Sequence, residues 1–339
     1  MTSTYVETLK SKIRSYLPLA KTPTIYVKMY GGLGNQLFQL AAALSTLGNR
    51  RLKLDIDLNS TDGSILQFVL PPEVDVVLSD SRNKKLGAAS KACNLYLRIG
   101  TKPNPSIIEQ TLKFFLRCSL TSHLSLRFKQ RVKLANPLGL GYSNLSSSAK
   151  NSYLIGYMQS YVWTENSEVL EKLKQMNLKS QSASFDKFWH EVQSKKILAV
   201  HVRLGDYQLN PKFGRLNENY YARAIQAGFD RNQYDCIWVF SNDILGAKYV
   251  LKFLEQSSLE IHWVDDSDLS APEVISLLKS CHGIVIANSS FGWWGARLNH
   301  SSSKFIAAPD PWFSEIDAPR LLIPPNWTLI DSMFGNSSE

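Results

Sequence analysis

The chain has 339 residues, 44% of them hydrophobic and 20% charged, the proportions of a globular protein and not of a disordered or fibrous one. Its length exceeds what one small core fills, which points to two domains, and no stretch reaches the ~20 apolar residues of a membrane span. The net charge of +9 is uneven: residues 82–152 hold 13 Lys/Arg against one acid, Glu109, a net +12 that leaves −3 for the remainder. A local excess of this size asks for a local explanation. An anionic membrane surface, a pyrophosphate-bearing acceptor, nucleic acid and a solvated face without a partner all satisfy it. Cys93, Cys118, Cys236 and Cys281 lie far apart with no metal-ligand or redox spacing, so reduced thiols in a reducing compartment are expected. The first residues lack a signal-peptide core. This predicts a cytoplasmic protein, its six Asn-x-Ser/Thr sequons unmodified.

In chain order, the opening residues show helical apolar spacing at Tyr5, Leu9, Ile13, Tyr16 and Leu17, an amphipathic helix that docks on the domain. Residues 24–30 (TIYVKMY) read as a strand, GGLGNQ as a tight loop, 36–47 as a helix and 51–56 (RLKLDI) as a second strand. That is the opening of a Rossmann-like domain. Segments 91–99 and 107–134 have helical spacing with many basic residues, and YLIGY reads as a short strand. Asn166 caps a helix over 167–176, and a second short helix covers 184–194. From Lys195 strands and helices alternate: strand 197–202, helix 218–229, strand 236–240, helix 246–256, strand 260–264, helix 271–280 and strand 283–287. A helix begins within NSSFGWWGA, and strand 304–308 ends the series. Such alternation implies parallel sheets covered on both faces, with ligands beyond the carboxyl ends of the strands. The expected class is α/β, with Rossmann-like domains over 1–178, which carries the basic segment, and 179–339.

Four polar loops carry the chemistry. In RLGDY, His201 and Arg203 are two residues apart and share one face of a strand end. Arg203 is a fixed fork suited to two phosphate oxygens, and Asp206 either orients it, takes a proton from an attacking hydroxyl, or makes a plain ion pair with it. In Ser241-Asn242-Asp243, the aspartate suits a guanine edge and equally a helix cap. In Asn288-Ser289-Ser290-Phe291-Gly292-Trp293-Trp294-Gly295, hydroxyls and amides at a helix start form an anion site. The tryptophans and glycines there pack the helix on the sheet or, as a second reading, line a sugar pocket. In Gly31-Gly32-Leu33-Gly34-Asn35-Gln36, Gly32 and Gly34 with Asp55 mimic half of a dinucleotide fingerprint, but Leu37 stands where the third glycine belongs. Asn35 and Gln36 are amides that donate to and accept from hydroxyls.

Together MYGGLGNQLFQ (29–39), HVRLGDY (201–207), VFSND (239–243) and IANSSFGWWGA (286–296) resemble the signature segments of the α-1,2-fucosyltransferases, with smaller echoes in GYMQS, APDPWF and IPPNW. The resemblance implies two Rossmann-like domains facing a cleft, the GT-B arrangement. It implies GDP-β-L-fucose as donor, held mainly by the C-terminal domain, inversion at the anomeric carbon, no further cofactor and no metal. By position it implies Arg203 on the β-phosphate with His201 and Asp206 in support, and Asp243 on guanine with Ser241 beside it. Asn288, Ser289, Ser290 and Phe291 fall at the diphosphate. Gly32, Gly34, Asn35 and Gln36 fall at the cleft floor, near the transferred sugar or the acceptor hydroxyl. Arg203, Asp206 and Asn35 are the catalytic candidates.

The family's His-x-Arg-Arg-x-Asp pattern is broken at Leu204, which on a strand faces away from Arg203. The pairs Asp55/Asp57 and Asp266/Asp268 match the short Asp-x-Asp pattern of metal-dependent transferases, which arises easily by chance, so no metal site is expected. Two other readings compete: a nucleotide-dependent oxidoreductase, from the glycine loop, and a non-enzymatic anionic-surface binder, from the basic segment. The partners expected are GDP-fucose, a galactose-terminated glycan, either free or linked to a lipid pyrophosphate, and an anionic membrane met peripherally through 82–152, but not nucleic acid.

Overall fold

The computed structural model describes residues 22–59, 61–78, 91–93, 95–96, 98–99, 105–128, 131–134, 141–142, 145, 151–205, 212–265, 269–301 and 304–334. The predicted amphipathic helix before Thr22 and the aspartates Asp206, Asp266 and Asp268 lie outside them. Among the described residues the strands form two parallel sheets. The first holds β1 (Thr24–Lys28), β2 (Arg51–Ile56), β3 (Val74–Leu78), β4 (Arg131–Leu134) and β5 (Ser152–Ile155) in the order β3-β2-β1-β5-β4. The second holds β6 (Ile197–Val202), β7 (Cys236–Ser241), β8 (Glu260–Asp265), β9 (Gly283–Val285), β10 (Phe305–Asp310) and β11 (Thr328–Asp331) in the order β11-β10-β9-β6-β7-β8. β6 and β7 are buried at every position, as central strands covered on both faces must be.

The strand order positions the site. In each sheet the chain runs outward in one direction and then returns to build the other side, so each sheet has a switch point. These fall between β1 and β5 and between β6 and β9. Loops leaving adjacent strands there diverge to opposite faces and open a crevice at the carboxyl ends. The loops after β1, β6 and β9 carry the glycine turn, Arg203 and Ser289.

Among the described residues these sheets are covered by α1 (Leu33–Ser45), α2 (Ile107–Phe128), α3 (Ser167–Lys174), α4 (Ala183–Ser194), α5 (Glu218–Phe229), α6 (Ile244–Val250), α7 (Ala271–Leu278) and α8 (Ser290–Arg297). Their starts are written in the sequence: Asn166, Ser182, Asn217, Asp243 and Ser289 each accept a backbone N–H at a helix start.

Helices α1 and α8 pack across the boundary between the sheets. Phe38 lies 4.5 Å from the Trp293 ring and 5.0 Å from Trp294, all fully buried. The Trp293 Nε1–H donates to the Leu322 carbonyl at 3.0 Å. The two tryptophans therefore do more than seat α8 on its sheet; they glue one half of the chain to the other. Each such ring removes roughly 150–250 Å² from water. Arg297 adds two 2.8 Å hydrogen bonds to Thr164 across the same boundary.

Three expectations change. The helical pattern over 107–134 stops at Phe128, and Arg131–Leu134 pairs in parallel with β5 as an edge strand. The helix over 246–256 is the short α6 followed by a 3-10 turn, Lys252–Gln256. The series does not end at β10, because β11 pairs with it. β3 and β11 are edge strands with many exposed positions, so neither shows the apolar run of a buried strand.

Glu273, at the start of α7, is buried and accepts from the Ser270 N–H at 2.7 Å, the Ser270 hydroxyl at 2.8 Å and the Ser182 N–H at 2.7 Å. It thus ties the starts of α4 and α7 together. Burial pushes this carboxyl up, but the hydrogen bonds from Ser270 and Ser182 outweigh it and hold the group below its ordinary value. Glu273→Gln is expected to cost about 2 kcal/mol in urea unfolding at neutral pH. The contribution is complete above the unfolded carboxyl's pKa of about 4.3 and is lost as pH falls through the lower folded value. The gap between variant and wild type should therefore close in acid.

Candidate active site

A cavity of about 430 Å³ opens between the two sheets at the carboxyl ends of their strands, within the range of nucleotide-sized and drug-sized sites. Its first wall is the start of α1, Gly32 to Asn35, with Asp62 beside it. The opposite wall is His201 and Arg203 at the end of β6, Ser241 and Asn242 at the end of β7, and Ser289, Ser290 and Phe291 at the start of α8. Leu269, Ala271 and Val274 make an apolar side, suited to a base or ribose face.

The two helix starts touch. A Cβ on Gly34 would lie 2.6 Å from the Ser290 carbonyl carbon and 2.7 Å from the Phe291 nitrogen. Only glycine allows this approach. The start of α1 has no side-chain cap, and neither α1 nor α8 has an acid in its first turn. Two positive dipole ends thus converge on the cleft next to the Arg203 guanidinium, which is the composition of a polyanion site.

Arg203 is held at the β6 end, where the Tyr221 hydroxyl hydrogen-bonds its backbone. The turn that follows is pinned by Asn242. Its Oδ1 accepts from the Leu204 N–H at 3.0 Å, and its Nδ2 sits against Gly205, whose φ of +70° suits glycine. Leu204 is buried in the core against Gly246, on the side away from the cleft. Losing the second arginine of the family pattern therefore removes no charge from the wall that Arg203 lines.

His201 is 5% exposed, and its ring packs on Gly292, where a Cβ would come within 2.6 Å of Nδ1. Burial first, and then the Arg203 charge, push its pKa down to about 3. The ring is neutral at physiological pH, so it adds no second cation to the cleft wall. In the ligand-free protein, the His201 imidazole resonances, assigned by their loss in His201→Gln, should stay flat where an ordinary histidine titrates, near pH 6.5. A midpoint there contradicts the reading. By linkage, the stability tied to the neutral ring declines as pH falls from the ordinary histidine value toward the folded one.

Asn35 lines the cleft, and its Oδ1 accepts from Gln159 Nε2 at 2.8 Å. Its carbonyl is thereby occupied, and its amide N–H groups are the ones left to donate.

Several sequence-predicted ligands stand behind the wall instead of in it. Gln36 is fully buried, donates to the Gly31 carbonyl at 2.9 Å and to Asp62 at 2.6 Å, and accepts from the Ile65 N–H; it shapes the loop and does not line the cleft. Asn288, 1% exposed, donates to the Phe213 and Gly214 carbonyls at 2.8 and 3.2 Å. Asp243 caps α6, accepting from the Gly246 N–H at 2.9 Å, and the residue of that loop lining the cleft is Asn242. Asp206 lies outside the described residues. Asp55 is bonded by the Tyr153 hydroxyl and is buried, and Asp57 accepts from Asn59; neither lines the cleft. Asp62, Asn242 and Gln159 were not foreseen. Asp62 is the one carboxylate among the described lining residues.

The model of the family described as "Glycosyl transferase family 11" matches residues 121–331, which include the whole Arg203 and Ser289 wall. The chain belongs to glycosyl transferase family 11. Over 306 residues, 86% of this chain and 95% of the relative, it is 28% identical to the O-antigen biosynthesis glycosyltransferase WbnK of Escherichia coli. It is 25% identical to an alpha-1,2-colitosyltransferase of the same species over 85% of this chain and 92% of that protein. The galactoside alpha-(1,2)-fucosyltransferase 1 of Homo sapiens is 24% identical over 41% of this chain and 39% of its own length. Among solved structures, the NodZ alpha-1,6-fucosyltransferase soaked with GDP-fucose superposes with a TM-score of 0.50 at 18% identity, over 88% of this chain and all of that one. This likeness shows the fold, two Rossmann-like halves of the GT-B type. Leu37, which stands where a dinucleotide fingerprint needs glycine, is buried in the core.

Proposed function

We propose that this glycosyltransferase moves L-fucose from GDP-β-L-fucose to the 2-hydroxyl of a galactose-terminated glycan, with inversion to an α-1,2 linkage. The observation that carries the reading is the convergence of Arg203 with the starts of α1 and α8 on one cleft. A diphosphate gains charge as the bond to the sugar breaks. Fixed donors aimed at that charge stabilise the transition state more than the bound donor. They need no reorganisation and no metal, so transfer should persist in excess chelator. The transition state is loose and oxocarbenium-like, with Asn35 donating to the sugar or the incoming hydroxyl. Asp62, across the cleft from Arg203, accepts the proton that the hydroxyl loses. The names of the relatives, fucosyl- and colitosyltransferases with 1,2 linkages, support the donor class and the linkage.

The test is transfer to a β-galactoside from GDP-fucose, GDP-colitose and UDP-galactose in parallel, with the product linkage read by NMR. An α-1,2-linked fucoside from GDP-fucose is expected. Preferential use of GDP-colitose would move the donor to the 3-deoxy sugar, and product from UDP-galactose alone would overturn the reading.

A further inference from the structure

Helix α2 wears its apolar face outward. Leu116 and Leu120 hold it on the domain, in a cluster with Cys93, Tyr96, Tyr153 and Ile155, and the Lys113 ammonium lies 5.2 Å from the Tyr96 ring centre. On the opposite side Ile107 is 82% exposed, Ile108 80%, Phe114 63% and Phe115 62%. Positions 107, 111, 114, 115 and 118 are i, i+4, i+7, i+8 and i+11, one continuous stripe of a helix. Ile108 and Leu112 widen it. The helix start is well made: the Ser106 N–H donates to Glu109 at 2.8 Å, and the Glu109 N–H donates to the Ser106 hydroxyl at 3.2 Å, a capping box. The only acid of the basic segment is thereby spent on the cap. An exposed stripe of two phenylalanines and two isoleucines on an ordered helix marks an interaction surface.

Charge decides what covers it. The stripe sits in the segment of net +12, with Arg117 exposed on the same helix and Lys91 and Arg98 exposed elsewhere in the segment. A second copy docking symmetrically would bring two such segments face to face. A phosphate backbone would leave the aromatic stripe in water. An anionic bilayer takes both, with apolar side chains entering the acyl boundary and basic ones reaching the headgroups. We infer that α2 is an interfacial helix that seats this protein on an anionic membrane surface through Ile107, Ile108, Phe114 and Phe115.

Leu116 and Leu120 pack with Tyr153 and Ile155 of β5, so α2 lies on the sheet whose β1 leads into the glycine turn of the cleft. The inference is independent of the donor sugar.

The test is co-sedimentation of the full chain with vesicles of equimolar phosphatidylglycerol and phosphatidylcholine, against phosphatidylcholine alone, at low salt. Sedimentation with the anionic vesicles is expected, and the double variant F114S/F115S should weaken it by about tenfold or more. Both side chains are exposed, so the thermal midpoint and GDP binding of the variant should match wild type, which separates this surface from the cleft. No sedimentation with anionic vesicles, or sedimentation indifferent to the double variant, overturns the inference. So does a concentration-dependent dimer in analytical ultracentrifugation that the double variant abolishes, because the stripe would then belong to a second copy.

Discussion

Replacing Arg203 by lysine is expected to lower kcat by about a hundredfold or more, even though the charge is kept. Lysine offers a point charge on a flexible stem, whereas the guanidinium offers two parallel N–H donors in a plane that matches two phosphate oxygens. The site around it is built for a fixed fork. The β6 end is buried on both faces, the Asn242 carboxamide pins the Leu204 N–H, and the neighbouring His201 ring is neutral and cannot take over the charge. The loss should fall on kcat more than on the donor KM, because the diphosphate carries more charge when the sugar bond is breaking than before. Steady-state kinetics at saturating donor and acceptor separate the two. An R203K enzyme with wild-type kcat would place the leaving-group contact elsewhere in the cleft.

The second large effect is expected at Gly34. By helix propensity alone, alanine in place of a helical glycine stabilises by about 1 kcal/mol. Here the added carbon would stand 2.6–2.7 Å from the Ser290 and Phe291 backbone, and backbone cannot swing aside as a side-chain tip can. The start of α1 must retreat from the start of α8, opening the seam that Phe38, Trp293 and Trp294 fill. Gly34→Ala should therefore destabilise the fold and cut turnover by about a hundredfold, the cost of misplacing reacting groups by about an ångström. Gly32 is the internal control. It lies two residues earlier, with φ −70° and nothing within 4 Å of an added Cβ, so Gly32→Ala should melt like wild type. Thermal unfolding and kcat of the two variants side by side check the claim. Equal melting points would mean that the contact between α1 and α8 is looser than its geometry indicates.

Where the sequence was legible, a repeated physical signal made it so. β6, β7 and α5 stand out because a strand buried on both faces is a run of apolar residues and a helix start carries Asn217 or a similar cap. β3, β4 and β11 did not stand out, because edge strands need no such run. In the site, residue type and place point to Arg203, Ser289 and Ser290, which the structure brings to the cleft wall. Gln36, Asn288 and Asp243 are ambiguous from sequence, because an amide or carboxylate near a strand end suits a ligand and suits a buried backbone group equally. Only the packing shows that Ile65, Phe213 and Gly246 have claimed them. Asp62 sits in a loop without a pattern, and Asn242 and Gln159 lie in VFSND and GYMQS, segments whose resemblance assigns neither of them a role. What makes them part of the site is the company they keep in space, which one sequence does not display.

A cleft that holds a guanosine diphosphate through Arg203 and two helix starts should bind GDP and lose it with Arg203. Calorimetric titration of GDP, UDP and NAD into the full chain, with GDP repeated on Arg203→Ala, measures this. Binding of GDP, loss of that binding in the variant, and no comparable heat from UDP or NAD are expected. GDP binding that survives in Arg203→Ala, or none in the wild type, would contradict such a site.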